Sequence, residues 1–282
     1  MKSTPILLTT LAMIAFAGNS VLARLAFATA EAEPLSYTGV RLASGALTLA
    51  IILLVRDRRL TIRGSRSGAA SLLGYAIFFS IAYLMLGAGT GALILFASVQ
   101  IGILGWAIYR GDRPGAPEWL GLAIAFAGLV YLVFPGLVAP SPGGAALMLA
   151  AGLCWAAYTL IGRGSASPLA DTAGNFIRSV PAALVLILAG VLQHPMSPAA
   201  ASYAIASGAA ASGIGYAIWY TVLPSLSRTR AAIVQLTVPA IAAAGGVAFI
   251  AEPLTSRLLV ATAAIVGGVA VALLAAERRR RR

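Results

Sequence analysis

The chain has 282 residues, of which 60% are hydrophobic and 10% are charged, and its formal net charge is +12. Soluble domains contain about 45–50% apolar and about 25% charged residues. The composition therefore excludes an ordinary soluble domain and an intrinsically disordered chain, and the single cysteine, Cys154, excludes a disulfide framework.

Apolar runs long enough to cross a bilayer recur along the chain. A hydrocarbon core of about 30 Å requires about 20 apolar residues in a helix. The runs are rich in Ala, Leu and Gly and lack a two-residue alternation, which predicts helices and not strands. In chain order the ten predicted spans are 5–28, 34–55, 68–87, 90–109, 118–134, 144–162, 171–192, 199–223, 229–250 and 256–275.

The cations predict the orientation of these spans. If the amino terminus is cytoplasmic, 16 of the 20 Lys and Arg residues fall in cytoplasmic segments and only Arg257 falls in an outer connection. This is the positive-inside pattern, so both termini are predicted to be cytoplasmic. It also explains the basic run 278–282 as a membrane-surface anchor, and nucleic acid binding is not predicted.

A secretory signal peptide is the alternative interpretation of the first span. Lys2, the apolar stretch 5–23 and the small-residue site Ala26-Phe27-Ala28 resemble one. The stretch is longer than the usual signal core of about 7–15 residues, and the internal repeat described next requires this helix. Retention of the span is therefore predicted.

An internal repeat relates the two halves of the chain at an offset of 137–139 residues. Residues 16–24 align with 155–163, Arg41 aligns with Arg178, and Phe79 and Tyr83 align with Tyr216 and Tyr220. Each half holds five spans, an odd number, so the second half enters the membrane from the opposite side. The prediction is an inverted repeat with domains 1–139 and 140–282, an architecture of secondary transporters whose binding site lies near the bilayer midplane.

Two segments carry a family resemblance. Residues 220–240, followed by Ala251-Glu252-Pro253-Leu254-Thr255 and a Gly-rich last helix, resemble the second repeat of EamA-type proteins in the drug/metabolite transporter superfamily. In the first repeat, Gly111-Asp112-Arg113-Pro114 stands where that family has a Gly-Glu-Arg turn. The resemblance implies a ten-helix inner-membrane exporter, most similar to the aromatic amino acid exporters of the family.

Aromatic and amide side chains inside the spans are the candidate binding residues. Aromatic faces suit planar or apolar ligands, and amides in a span must face protein or water. Interfacial anchoring, core packing and interhelical hydrogen bonding are the alternative roles. The predicted substrate-binding residues are Asn19, Tyr75, Phe79, Tyr83, Gln100, Trp155, Tyr158, Tyr216, Trp219 and Gln235.

Two arginines, Arg41 and Arg178, lie about seven residues inside their predicted spans. Either side chain can meet a substrate carboxylate. Their symmetric placement and their long stems, which can reach the membrane surface, favour a structural role for both.

Acidic residues and histidine are absent from the middle of the spans. All eight acids lie in connections or at helix ends, and the single histidine, His194, lies in an outer loop. Proton relays in transporters use intramembrane Asp, Glu or His, so facilitated transport without proton coupling is predicted. Neither a metal cluster, a phosphate-binding loop nor a catalytic constellation is present in the sequence, so an enzyme is not predicted, and neither is a cofactor.

These observations predict an all-α polytopic inner-membrane protein that works by alternating access through a central cavity. The family resemblance implies that it exports amino acids, aromatic or otherwise apolar. Its partners are a small-molecule substrate and the lipid bilayer, and it is expected to work as a monomer. A broad exporter of metabolites or drugs is the alternative within transport. A membrane scaffold without transport activity is the alternative from another class.

Overall fold

The structure, a computed structural model, describes residues 3–111, 114–134, 139–163, 165–226, 231 and 234–281. Within these ranges every regular element is helical, and strands are not found there. This confirms the predicted all-α polytopic membrane protein. The α-helices are α1 (Ser3–Thr29), α2 (Pro34–Asp57), α3 (Arg66–Ala82), α4 (Ala88–Tyr109), α5 (Ala116–Val133), α6 (Pro142–Ile161), α7 (Pro168–Gln193), α8 (Pro198–Ala206), α9 (Gly215–Val222), α10 (Val238–Ile250) and α11 (Ser256–Arg281).

Six of these helices, α1, α2, α4, α6, α7 and α11, are long and apolar enough to cross a membrane. The helices α3, α5 and α10 are shorter but apolar. Proline in the first turn begins α2, α5, α6, α7 and α8, where its missing N–H costs no helical hydrogen bond. Proline thus marks the start of about half of the α-helices directly.

The third predicted span ends earlier than expected. It was predicted over 68–87, but α3 ends at Ala82 and the chain turns over 83–86. The Tyr83 ring is fully buried and fills the space beside Gly91 on α4. The Tyr83 carbonyl, freed from the helix, accepts a hydrogen bond of 2.9 Å from Arg24 Nη1. These partners stabilise an early helix end.

The eighth predicted span is interrupted by a change of helix type. The helices α8 and α9 are joined by a π-helical stretch, Ser207–Ile214, and a short 3₁₀ turn, Leu223–Ser225, follows α9. We call residues 198–222 the eighth segment.

The ninth predicted span, 229–250, is partly covered. Residues 227–230, 232 and 233 lie outside the described residues. After a turn at Leu236 and Thr237, α10 begins at Val238 with Pro239 in its first turn.

Small residues allow the helices to pack closely. The helices α2 and α7 form one such pair, and α5 and α11 form another. A Cβ atom added at Gly121 of α5 would lie 2.5 Å from the Gly268 carbonyl oxygen of α11. Without a hydrophobic driving force between helices in lipid, such backbone contact is a main source of association.

Contacts between connections define the two ends of the bundle. At one end the 30–33 and 194–197 connections meet through the hydrogen bond from Ser197 Oγ to the Ala30 carbonyl. The 83–87 and 251–255 connections also meet there, and we call this the Glu252 end. At the opposite end the 58–65 connection meets α7, where Ser65 N donates to Asn175 Oδ1 at 2.9 Å.

Close packing at Gly121 generates a stability prediction. Gly121→Val should lower the free energy of unfolding by about 1–3 kcal/mol, because the added side chain overlaps α11. Thermal unfolding in detergent measures the effect. Gly105→Val is the matched control, since a Cβ atom there meets no atom within 4 Å. Equal melting temperatures for the two variants would contradict the prediction.

Candidate functional site

A small cavity of about 30 Å³ lies where the two halves of the chain meet. Residues of α1, α3 and α4 face residues of α6, α9 and the segment before α10 across it. The lining side chains are Phe16, Asn19, Ser20, Tyr75, Phe79, Leu95, Phe96, Val99, Trp155, Tyr216 and Gln235. A cavity of this size holds about two water molecules.

Aromatic rings packed against one another form most of the cavity wall. The Trp155 ring stacks on Tyr216 with centroids 5.6 Å apart, and its centroid lies 4.8 Å from that of Tyr75. Tyr75 in turn packs on Phe79 at 5.3 Å, and Phe16 lies 5.6 Å from Tyr216. Rings contributed by both halves therefore close the centre, and a ligand larger than water enters only when some of them part.

An amide on α1 connects this cavity to the π-helical stretch. Asn19 is buried, and its Oδ1 accepts hydrogen bonds from Ser207 Oγ at 2.9 Å and Ser212 Oγ at 3.3 Å. Residues five apart on an α-helix point about 140° away from each other. The wider π-helix, with hydrogen bonds from i to i+5, instead places both serines toward one side chain. The irregular stretch thus holds a polar wall at the cavity.

A second amide reaches the cavity from the segment before α10. Gln235 Nε2 donates to the Ala231 carbonyl at 3.2 Å, which leaves its Oε1 available as an acceptor. The site consequently offers an amide oxygen among ring faces, a combination suited to an ammonium group.

A buried cation lies directly behind the aromatic wall. Arg41 on α2 is 2% exposed, and its Nη2 donates to Tyr75 Oη at 3.0 Å. Its guanidinium carbon is 4.5 Å from the Phe79 ring centroid. Arg178, its counterpart in the repeat, is exposed and donates to the Arg63 carbonyl in the loop before α3. Arg41 and Arg178 therefore have different surroundings, although the repeat aligns them.

Six of the ten residues predicted to bind substrate line the cavity and four do not. Tyr83 is buried in the turn after α3, and Tyr158 donates to Thr172 Oγ1 at 3.1 Å. Trp219 packs on Phe16 in a neighbouring apolar cluster, and Gln100 lies next to Val99 but on an adjacent face of α4. A binding role for any of the ten stays a prediction. Those at the cavity are Asn19, Tyr75, Phe79, Trp155, Tyr216 and Gln235.

Five lining residues were not predicted: Phe16, Ser20, Leu95, Phe96 and Val99. For Phe16 the signal is its alignment with Trp155 in the repeat. The others are of types that occur on every face of these helices, so their residue identity carries no signal.

An ion pair joins the two halves one helical turn from the cavity. Arg24, four residues after Ser20 on α1, donates from Nε to Glu252 Oε1 at 2.9 Å. Glu252 Oε2 accepts the backbone N–H of Ala88 at 2.7 Å, at the start of α4. A larger cavity of about 260 Å³ lies beside this pair at the Glu252 end and is lined by both of its members. The pair therefore borders the larger cavity but not the central one.

The acidic residues of the described chain lie away from the central cavity. Asp171 accepts the backbone N–H of Gly64, Glu33 caps the start of α2, and Glu118 pairs with Arg279 at 3.0 Å. In the described ranges, groups of His, Cys, Asp and Glu that could hold a metal ion are not found.

Comparisons with known proteins identify the family. The EamA-like transporter family matches residues 3–134 and 142–274. An uncharacterized Pseudomonas aeruginosa protein, PA1977, is 49% identical over 95% of this chain and 94% of its own length. The threonine/homoserine exporter RhtA of Escherichia coli K12 is 31% identical over 93% of this chain and 88% of its own length.

A crystal structure of another protein has a similar fold. Its TM-score is 0.66 and its identity is 21%, over 95% of this chain and 97% of that chain. The family matches together cover nearly the whole sequence, which is also polytopic and helical throughout its described part. The chain belongs to the EamA-like transporter family of the drug/metabolite transporter superfamily.

Proposed function

We propose that this protein exports neutral amino acids across the bacterial inner membrane by alternating access, with the central cavity as the binding site. The observation that carries the proposal is the cavity bordered jointly by Asn19, Trp155 and Gln235, which come from both halves of the chain. The substrate gradient drives the movement. The termini and the basic connections face the cytoplasm, and the Glu252 end faces outward.

The pattern of helix contacts supports an inverted repeat, on which alternating access rests. Spans 2 and 7 pack together, as do spans 5 and 10, and each pair joins elements that the repeat makes equivalent. Span 3 packs on span 6, and its counterpart, the eighth segment, packs on span 1. Exchange of the two halves therefore preserves the contacts, as a pseudo-two-fold axis requires.

The amino acid class is supported by two observations. RhtA, named as a threonine/homoserine exporter, matches over 93% of this chain. The aromatic lining with its amides suits a substrate that has an apolar or aromatic side chain and polar groups at one end. The second candidate, a broad metabolite or drug exporter, is favoured by the same aromatic wall. A scaffold is disfavoured because the centre holds amides and a buried cation.

The first test is amino acid flux in liposomes. The purified protein should move radiolabelled L-phenylalanine or L-threonine faster than empty liposomes do. Trp155→Ala and Gln235→Ala should each reduce the rate about fivefold or more, because a lost aromatic contact or hydrogen bond costs about 1 kcal/mol.

Trp106→Ala and Gln193→Ala are the matched controls for these variants. Trp106 is exposed on α4 and Gln193 is exposed near the end of α7, so both should transport like the parent. Flux equal to that of empty liposomes would refute transport of these amino acids. Equal losses of flux in the control variants would show that the losses in Trp155→Ala and Gln235→Ala are not specific to the cavity, and would contradict its role as the binding site.

The energy source is tested with a protonophore. Acidic and histidine side chains do not line the cavity within the described ranges, so the transport cycle lacks an intramembrane proton carrier there. Substrate should equilibrate across proteoliposomes at the same rate and to the same extent with or without an imposed proton gradient. Uphill accumulation that collapses when a protonophore is added would establish proton coupling and overturn this prediction.

The ion pair at the Glu252 end is expected to hold that end closed. Glu252→Gln should raise the rate at which a membrane-impermeant thiol reagent, applied from that side, labels Ser20→Cys in a Cys154→Ala background. An ion pair worth about 1 kcal/mol corresponds to about a fivefold change in population.

Asp57→Asn is the control for this experiment, because Asp57 pairs with Arg56 on the exposed surface near the opposite end. It should leave the labelling rate unchanged. The same rate in Glu252→Gln as in the parent, or an equal rise in both variants, would show that the pair does not control access.

A further inference from the structure

Arg41 carries a positive charge that the described chain does not neutralise. Among the described residues its guanidinium has a neutral hydrogen-bond partner: Nη2 donates to the Tyr75 hydroxyl, while the buried Nη1 has no hydrogen-bond partner there. One turn earlier on α2, the buried Tyr37 hydroxyl also lacks a partner. The two unsatisfied groups are four residues apart and therefore share one face of the helix.

Among the described residues, no acid forms an ion pair with Arg41. Glu33, the nearest acid along α2, lies two turns away, and its carboxylate accepts the backbone N–H groups of Leu35 and Ser36. Glu252 and Glu118 pair with Arg24 and Arg279. A buried charge without a partner is strongly unfavourable in a membrane protein and marks a functional position.

The surroundings of Arg41 argue against a purely structural role. Arg178, at the equivalent position of the second half, binds a loop carbonyl and is exposed, which is how an arginine holds two chain segments together. Arg41 instead contacts Tyr75 and Phe79, two rings that line the central cavity, and its guanidinium carbon lies 5.3 Å and 4.5 Å from their centroids. Cation–π contacts reduce the cost of its burial but leave Nη1 free to take an anion.

We propose that Arg41 is the carboxylate-binding residue of the central site, an inference that rests on the proposed export of amino acids. The substrate carboxylate accepts hydrogen bonds from Arg41 Nη1 and from the Tyr37 hydroxyl once the Tyr75 and Phe79 rings part. The substrate side chain then packs against Trp155 and Tyr216, and Gln235 Oε1 accepts from the ammonium group. A guanidinium and a carboxylate form charge-assisted hydrogen bonds stronger than neutral ones.

The proposed site therefore selects ligands that carry a carboxylate over ligands that lack one. An amino acid should bind, whereas its carboxamide, with the same side chain and amino group but no negative charge, should bind weakly. Loss of one partner of a buried charge pair lowers affinity by about thirtyfold or more.

The test measures binding and flux separately. L-phenylalanine and L-threonine should raise the melting temperature of the purified protein in detergent, and should do so at concentrations at least tenfold below those that L-phenylalaninamide and L-threoninamide require. Arg41→Gln should remove this acid-over-amide preference, and Arg41→Lys, which keeps the charge, should retain part of it. Arg178→Gln, the matched control, should keep the parent preference.

The comparison of acid with amide on the parent protein needs no variant, so it stands even if Arg41→Gln fails to fold. Equal stabilisation by acid and amide would overturn the role of Arg41, and amino acid flux in liposomes would then still support the proposed export. Carboxylate-selective stabilisation without flux would uphold the binding site and overturn export. If Arg41→Gln kept the preference for the acid over the amide, a residue other than Arg41 would bind the substrate carboxylate.

Discussion

Inside a bilayer each polar group must find its partner within the protein, because water is absent from the hydrocarbon core. Most polar side chains in this chain obey that constraint by bonding the carbonyl one turn earlier, as Thr38, Ser98 and Thr262 do. The exceptions connect different helices. Asn19 gathers two serines of the eighth segment, and Thr172 joins Tyr158 to Tyr220. Both of these interhelical networks lie beside the aromatic cluster at the centre.

The same constraint explains why the two halves diverge in detail although they share a pattern. Phe79 and Tyr216 are aligned by the repeat and both line the cavity, as do Phe16 and Trp155. The next pair, Tyr83 and Tyr220, lies outside the lining in both halves. Asn19 and Tyr158 break the symmetry, since only Asn19 reaches the cavity, whereas Tyr158 bonds Thr172. The two repeats therefore contribute different groups to the cavity.

Hydropathy was sufficient to predict most of the helices, because that signal acts within one segment. The early end of α3 could not be predicted, since it depends on Arg24, which lies 59 residues before Tyr83 in sequence, and on how the Tyr83 ring packs against Gly91 of the next helix. The π-helical stretch could not be predicted either, because Ser, Gly and Ala fit an ordinary helix equally well. The π-helical geometry becomes favourable where the Ser207 and Ser212 hydroxyls can both donate hydrogen bonds to Asn19 Oδ1.

For the site, residue type predicted which side chains to consider but not which way they face. Gln100 and Gln235 are chemically identical, yet only Gln235 lines the cavity, because Leu95, Phe96 and Val99 occupy that face of α4. Arg41 and Arg178 occupy equivalent positions in the sequence, yet one is buried and the other is exposed. Depth along a helix is readable from the sequence, whereas rotation about its axis depends on packing with helices that are distant along the chain.

The size of the central cavity limits which molecules can occupy it in this conformation. A space of about 30 Å³ admits water but no amino acid, so the proposed binding site is closed in this structure. The ion pair between Arg24 and Glu252 lies between helices at the Glu252 end, where the proposed mechanism requires a second closure. Opening requires the packed rings of Trp155, Tyr216 and Tyr75 to separate, and movement of Tyr75 uncovers Arg41, to which it is hydrogen-bonded. A substrate with a charged end and an apolar end can replace both kinds of contact at once, which makes its binding the natural means of separating the rings.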